Sequence, residues 1–181
     1  GFRKVSAGTL VTPGTEISEI RAWATTLDAT EVPVQGPPGT GKTFTGAHIV
    51  HALVSAGKRV GIVAMSHHAI DNLMRAVVDR FTEEGDLDAL RAVRKAQTGR
   101  LTGVSFVDDN KRASEGDYNV LGGTAWFFAT QAMRDHPVDV LIVDEAGQLG
   151  LADTLAASIS ADSMVLLGDP LFSEPLSVAF D

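Results

Sequence analysis

The run GPPGTGKT, formed by Gly36, Pro37, Pro38, Gly39, Thr40, Gly41, Lys42 and Thr43, most narrows what this chain can fold into. It meets the G-x-x-x-x-G-K-[ST] spacing, with the apolar stretch Val32 to Gln35 before it and a run rich in Ala, Ile, Val and Leu after it. Glycines let the backbone curl so that successive N–H groups converge on phosphate oxygens, in conformations that a Cβ disfavours. The helix that opens next adds the partial positive charge of its N-terminus. In this arrangement Lys42 reaches the β- and γ-phosphates and Thr43 offers its hydroxyl to Mg²⁺, so ATP with Mg²⁺ is the expected ligand.

A loop of this kind joins a strand to a helix in an α/β fold, and the rest of the chain has the matching rhythm. Short apolar runs at Arg59 to Met65, Val104 to Val107, Val120 to Gly122, Val138 to Val143 and Met164 to Leu167 alternate with helical patterns. That alternation predicts a parallel sheet covered by helices on both faces, a three-layer P-loop fold. Ile70, Leu73, Met74, Val77, Val78 and Phe81 recur at helical spacing and make one apolar face. Thr15 to Leu27 also reads as a helix, after a break at Pro13-Gly14, while the polar, glycine-containing stretch Asp108 to Asn119 reads as an exposed loop or insertion. The whole is organised as one lobe: a helical lead-in over 1–30, the core over 31–170 and a tail over 171–181.

Val140 to Glu145, VLIVDE, is an apolar strand ending in two carboxylates. Burying such a pair is costly unless it serves a cation. Asp144 is therefore the expected Mg²⁺ partner that complements Thr43, and Glu145 the general base for an attacking water, with Lys42 the other catalytic group. The chain has 181 residues, 44% of them hydrophobic, no cysteine and a net charge of −8. These values fit one globular domain in a reducing, cytoplasmic setting, with no apolar run approaching the ~20 residues needed to cross a membrane. The acidic balance restricts any nucleic-acid contact to a local patch.

Three further blocks follow the phosphate loop in a set order: VGIVAMSHHAIDNL at Val60 to Leu73, DEAGQ at Asp144 to Gln148, and LGDP at Leu167 to Pro170. Together they resemble motifs Ia, II and III of superfamily 1 helicases, and the resemblance runs from about Val32 to Pro170. It implies the first RecA-like lobe of an ATP-dependent helicase or translocase acting on single-stranded DNA or RNA. Ser66 and His67 are then expected to touch the strand backbone, as is Thr124 in a later motif, and Gln148 and Asp169 are expected to couple hydrolysis to movement. GGTAWFFA at Gly122 to Ala129, followed by DEAGQ, is similar to proteins that fuse a RecB-type nuclease to such a helicase, although no nuclease motif is visible. Trp126, Phe127 and Phe128 are read first as core, with base stacking as the alternative.

The resemblance has three departures. Thr15 to Asp28 contains no glutamine where the family reads adenine, Leu171 and Phe172 stand where motif III carries glutamines, and the chain closes twelve residues after Asp169. The second RecA-like lobe with its arginine finger is therefore expected from elsewhere. Two rival readings remain at this stage: a non-catalytic or decayed nucleotide-binding module, and an AAA+ type remodelling ATPase.

Overall fold

In the computed structural model, residues 16–35 and 41–168 are described. Helix α1 (Ile17–Ala24) leads into β1 (Glu31–Gln35), α2 (Lys42–Ser55), β2 (Val60–Val63) and α3 (His67–Glu84). A single 3-10 turn at Leu87–Ala89 precedes β3 (Ala92–Lys95) and β4 (Val104–Val107). Then come α4 (Asn110–Glu115), β5 (Val120–Gly123), α5 (Ala125–Phe128), α6 (Gln131–Asp135), β6 (Val138–Val143), α7 (Leu151–Ser158) and β7 (Ala161–Gly168). Among the described residues, seven strands form one sheet in the order β1-β7-β6-β2-β5-β3-β4, with every neighbouring pair parallel. The expected α/β sheet with helices on both faces is thus present.

Strand alternation explains the two layers of core. On one face Val60, Ile62, Val140, Ile142, Val165 and Leu167 pack against α1, α2 and α3. On the other, Val63, Leu121, Leu141, Val143 and Met164 meet Ala113, Phe127, Phe128, Met133 and Ala157 from the remaining helices. Helix α2 is buried along its whole length from Gly46 to Val54, as expected of a helix apolar on all sides. It crosses the sheet with Gly46 against Leu167, so closely that an added Cβ would lie 2.8 Å from the Leu167 Cδ1 atom. Helix α3 buries all six residues of its predicted stripe. Ser66 Oγ caps its start by accepting from the Ala69 N–H at 3.0 Å, and Gly85 at φ +78 ends it.

Three expectations need correction. The segment read as an exposed loop contains α4, because Asp109 Oδ1 caps it by accepting from the Arg112 N–H at 2.8 Å and the helix buries its own Ala113 and Ser114. Strand β3 was not expected at all, since its third residue is the charged Arg94. Strand β7 is longer than its apolar run, because backbone pairing continues from Ala161 opposite Val138 to Gly168 opposite Gln35 regardless of side chain.

Candidate functional site

The parallel ladder fixes which segments meet at the carboxyl edge of the sheet. Val63 of β2 is in register with both Val143 of β6 and Gly123 of β5, and Val143 with Leu166 of β7. The residues just beyond these strand ends are Asp144, Ser66 with His67, and Thr124, so segments distant in sequence share one edge. Ligands of open α/β sheets bind at that edge, where strand order reverses.

On the nucleotide side, Gly41 adopts φ +80 and passes directly into α2, whose first two residues are Lys42 and Thr43. Residues 36–40, which include Gly36, Pro37, Pro38, Gly39 and Thr40, lie outside the described residues, as does Asp169 with Leu171 and Phe172. Asp144 is 6% exposed. Burial pushes its carboxyl above the usual carboxylate range, against the opposing pull of the Glu145 N–H and the Lys42 charge. Lys42 and Asp144 are therefore electrostatic neighbours, although they stand on α2 and after β6. Among the described residues no group of three or more His, Cys, Asp or Glu side chains could enclose a metal ion. Asp144 is thus a buried carboxylate just beyond β6, and Lys42 and Thr43 open α2.

The turn after β6 is held from three sides. The Asp144 N–H donates to the Val63 carbonyl at 2.8 Å and the Ala146 N–H to the Leu167 carbonyl at 2.9 Å. Inside the turn the Glu145 N–H donates to Asp144 Oδ1 at 2.9 Å, and the Gln148 N–H to the Glu145 carbonyl at 2.7 Å. These bonds keep Glu145 at φ +50, a left-handed conformation that costs a residue with a Cβ on the order of 1–3 kcal/mol. Glu145 remains partly accessible and Gln148 exposed.

On the other half of the edge, Ser66 uses its oxygen as a helix cap yet keeps its own O–H to donate. Thr124 occupies the cap position of α5 without making a side-chain cap bond. His67 is exposed and accepts, through Nδ1, from an Arg94 guanidinium nitrogen at 2.8 Å. The aromatic trio divides: Phe127 and Phe128 are core at 3% and 0% exposure, and Trp126 is 81% exposed. Sequence reasoning missed Arg94, and Asp71 as its partner at 2.7 Å, because nothing in AVRK announces that an arginine 23 residues from an aspartate will be buried against it.

Residues 15–115, more than half of the chain, match the AAA domain family. The chain belongs to that family. It is 30% identical over 147 residues to the DNA replication ATP-dependent helicase/nuclease JHS1 of Arabidopsis thaliana, covering 79% of this chain and 11% of that protein. Against the DNA replication ATP-dependent helicase/nuclease DNA2 of Saccharomyces cerevisiae it is 26% identical over 152 residues, covering 79% and 10%. The chain thus spans about a tenth of the length of these curated relatives. Its fold is like that of the Sulfolobus solfataricus SWI2/SNF2 ATPase core, with a TM-score of 0.57, 13% identity, and 84% of this chain and 30% of that one covered. The resemblance to the first RecA-like lobe of superfamily 1 helicases is borne out by these relatives.

Proposed function

We propose that this family member is the ATP-binding and hydrolysing lobe of a helicase or translocase that moves on single-stranded nucleic acid, DNA in the first instance. The observation that carries the reading is the split of one sheet edge. Lys42 and Asp144 lie on its β1-β7-β6 side, while Ser66, His67 and Thr124 lie on its β2-β5 side. An edge so divided suits a machine in which nucleotide state at one half changes grip at the other. The helicase names of two relatives, each matched over 79% of this chain, favour it over a remodelling ATPase.

In this reading the phosphate loop and Lys42 hold the β- and γ-phosphates, and Thr43 and Asp144 hold Mg²⁺, which when bound neutralises charge on the phosphate oxygens. Glu145 accepts the proton of the water that attacks the γ-phosphorus, its backbone fixed by the turn described above. Gln148, at the end of the turn, and Asp169, next after Gly168 in the sequence, carry the change toward the strand. A second RecA-like lobe supplies the far-side cation, and a RecB-type nuclease domain elsewhere in the protein fits the helicase/nuclease relatives. A cytoplasmic setting is the expected one, and among the described residues no helix is long and apolar enough to cross a membrane.

Two measurements test this. Calorimetry with Mg-ATP should show clear binding by the parent and a marked loss in Lys42→Ala, and fluorescence anisotropy should show binding of a single-stranded oligonucleotide. Equal nucleotide affinity in the two proteins, or no single-strand binding at low salt, overturns the reading.

A further inference from the structure

Arg94 is the largest of the fully buried side chains, 1% exposed, and the nucleotide half of the edge makes no use of it. From β3 it reaches across to the first turn of α3. Its Nε donates to Asp71 Oδ1 at 2.7 Å, one terminal nitrogen donates to the Lys95 carbonyl at 2.8 Å, and the other meets His67 Nδ1 at 2.8 Å. A guanidinium has five N–H donors and no acceptor. Nδ1 must then be the accepting nitrogen, which leaves the ring proton on Nε2 and the ring uncharged in this contact. Asp71 balances the guanidinium charge, so the cluster presents no net charge of its own.

His67 is exposed and, with Arg94 and Asp71, lines a cleft of about 490 Å³ that continues to Gln97, Thr98 and Phe106. Among the described residues its ring makes no hydrogen bond besides the one from Arg94. We propose that Arg94 is a positioning residue for the nucleic-acid face: it holds His67 as a neutral ring whose Nε2–H donates to a phosphate oxygen of a single strand. The proposal rests on reading the β2-β5 half of the edge as the strand-contacting half. It has a consequence that a cationic contact lacks. A lysine or arginine on a single strand releases counterions and adds about 0.7 to the slope of log affinity against log salt, whereas a neutral donor adds affinity and no slope.

Long-range ¹H–¹⁵N spectra of the 181-residue chain at neutral pH, with His67 assigned through His67→Gln, read the tautomer directly. His67 should show a pyridine-type Nδ1 and a pyrrole-type Nε2. Arg94→Lys, which keeps a positive charge opposite Asp71, should move both signals toward exchange-averaged values. A parent ring protonated on Nδ1 overturns the proposal without any variant, and so do unchanged ring signals in a folded Arg94→Lys chain. Binding of a fluorescent oligothymidylate across a salt series supplies the second arm. His67→Ala should weaken binding several-fold with the salt slope unchanged, and His67→Gln, whose side-chain amide donates from nearly the same point, should restore most of it. A slope reduced by about 0.7 identifies a cationic contact and overturns the proposal. Undiminished affinity in His67→Ala beside the expected parent spectrum removes the strand-contact reading instead, and the two failures are told apart by the spectra.

Discussion

Asp144 shows how a single residue sets stability against function. Its carboxyl is pushed upward chiefly by burial, so the folded protein disfavours the ionised form. For an acid raised in this way, the stabilising contribution is present below the ordinary carboxylate range and is lost as pH climbs through that range toward the raised value. At neutral pH and without a cation, the site therefore destabilises the fold that carries it. Asp144→Asn keeps an acceptor for the Glu145 N–H, and removes the charge. We expect it to raise Tm at about pH 7, with the gain shrinking toward about pH 4, while Mg²⁺ ceases to strengthen nucleotide binding. Thermal melts at the two pH values check this, and a lower Tm for the variant at neutral pH would show that the carboxylate is well solvated.

At the scale of elements, α2 is the piece on which most depends, since it carries Lys42 and Thr43 at one end and fills the space between sheet and helices along the rest. Gly46 permits that approach: besides the Leu167 contact, an added Cβ would lie 3.1 Å from Leu73 Cδ1, and both leucines are fully buried. Gly46→Val should destabilise the chain by about 1–3 kcal/mol through overpacking, more than its gain in helix propensity returns, as a urea melt would show. The same helix buries His48 and His51 against α1 and α3. Arg80 donates to His48 Nε2 at 3.1 Å, and Arg21 and Asp86 bracket His51 at 2.8 and 2.9 Å. His48 is held below the ordinary imidazole value by burial first and then by Arg80 and Arg21, with Glu84 opposing and His51 adding a little. Here the unfolded chain binds the proton more readily, so stability is full above the ordinary imidazole value of about 6.5 and falls as pH drops through it. The urea midpoint should decline from about pH 7.5 to about pH 5.5, and His48→Leu should flatten that limb. An equal slope in the variant assigns the decline elsewhere.

For the whole molecule, the proposed reading has Lys42, Thr43 and Asp144 acting from one side of the nucleotide, whereas in-line phosphoryl transfer also needs charge stabilisation opposite them. An arginine finger contributes roughly 10³ to 10⁵ in rate where it is present, and translocation needs two bodies that close on ATP and reopen. The 181-residue chain by itself should release phosphate only feebly and displace no duplex strand, even with single-stranded DNA added. Brisk turnover at high dilution would contradict this, and turnover that rises with concentration would mean that neighbouring copies lend the missing cation.

Much of this was legible in the sequence because its determinants are local. The helix opening at Lys42, the VLIVDE strand end, the α3 stripe and most strands are read from residues a few positions apart, where backbone geometry and hydrophobic period act directly. Strand order, the left-handed turn at Glu145 and the burial of Arg94 were not legible. Each depends on partners brought together only when the sheet forms: Val63 and Leu167 around the acidic turn, Asp71 and His67 around the guanidinium. A buried charge is tolerable only beside its partner, and that pairing is decided by the tertiary fold.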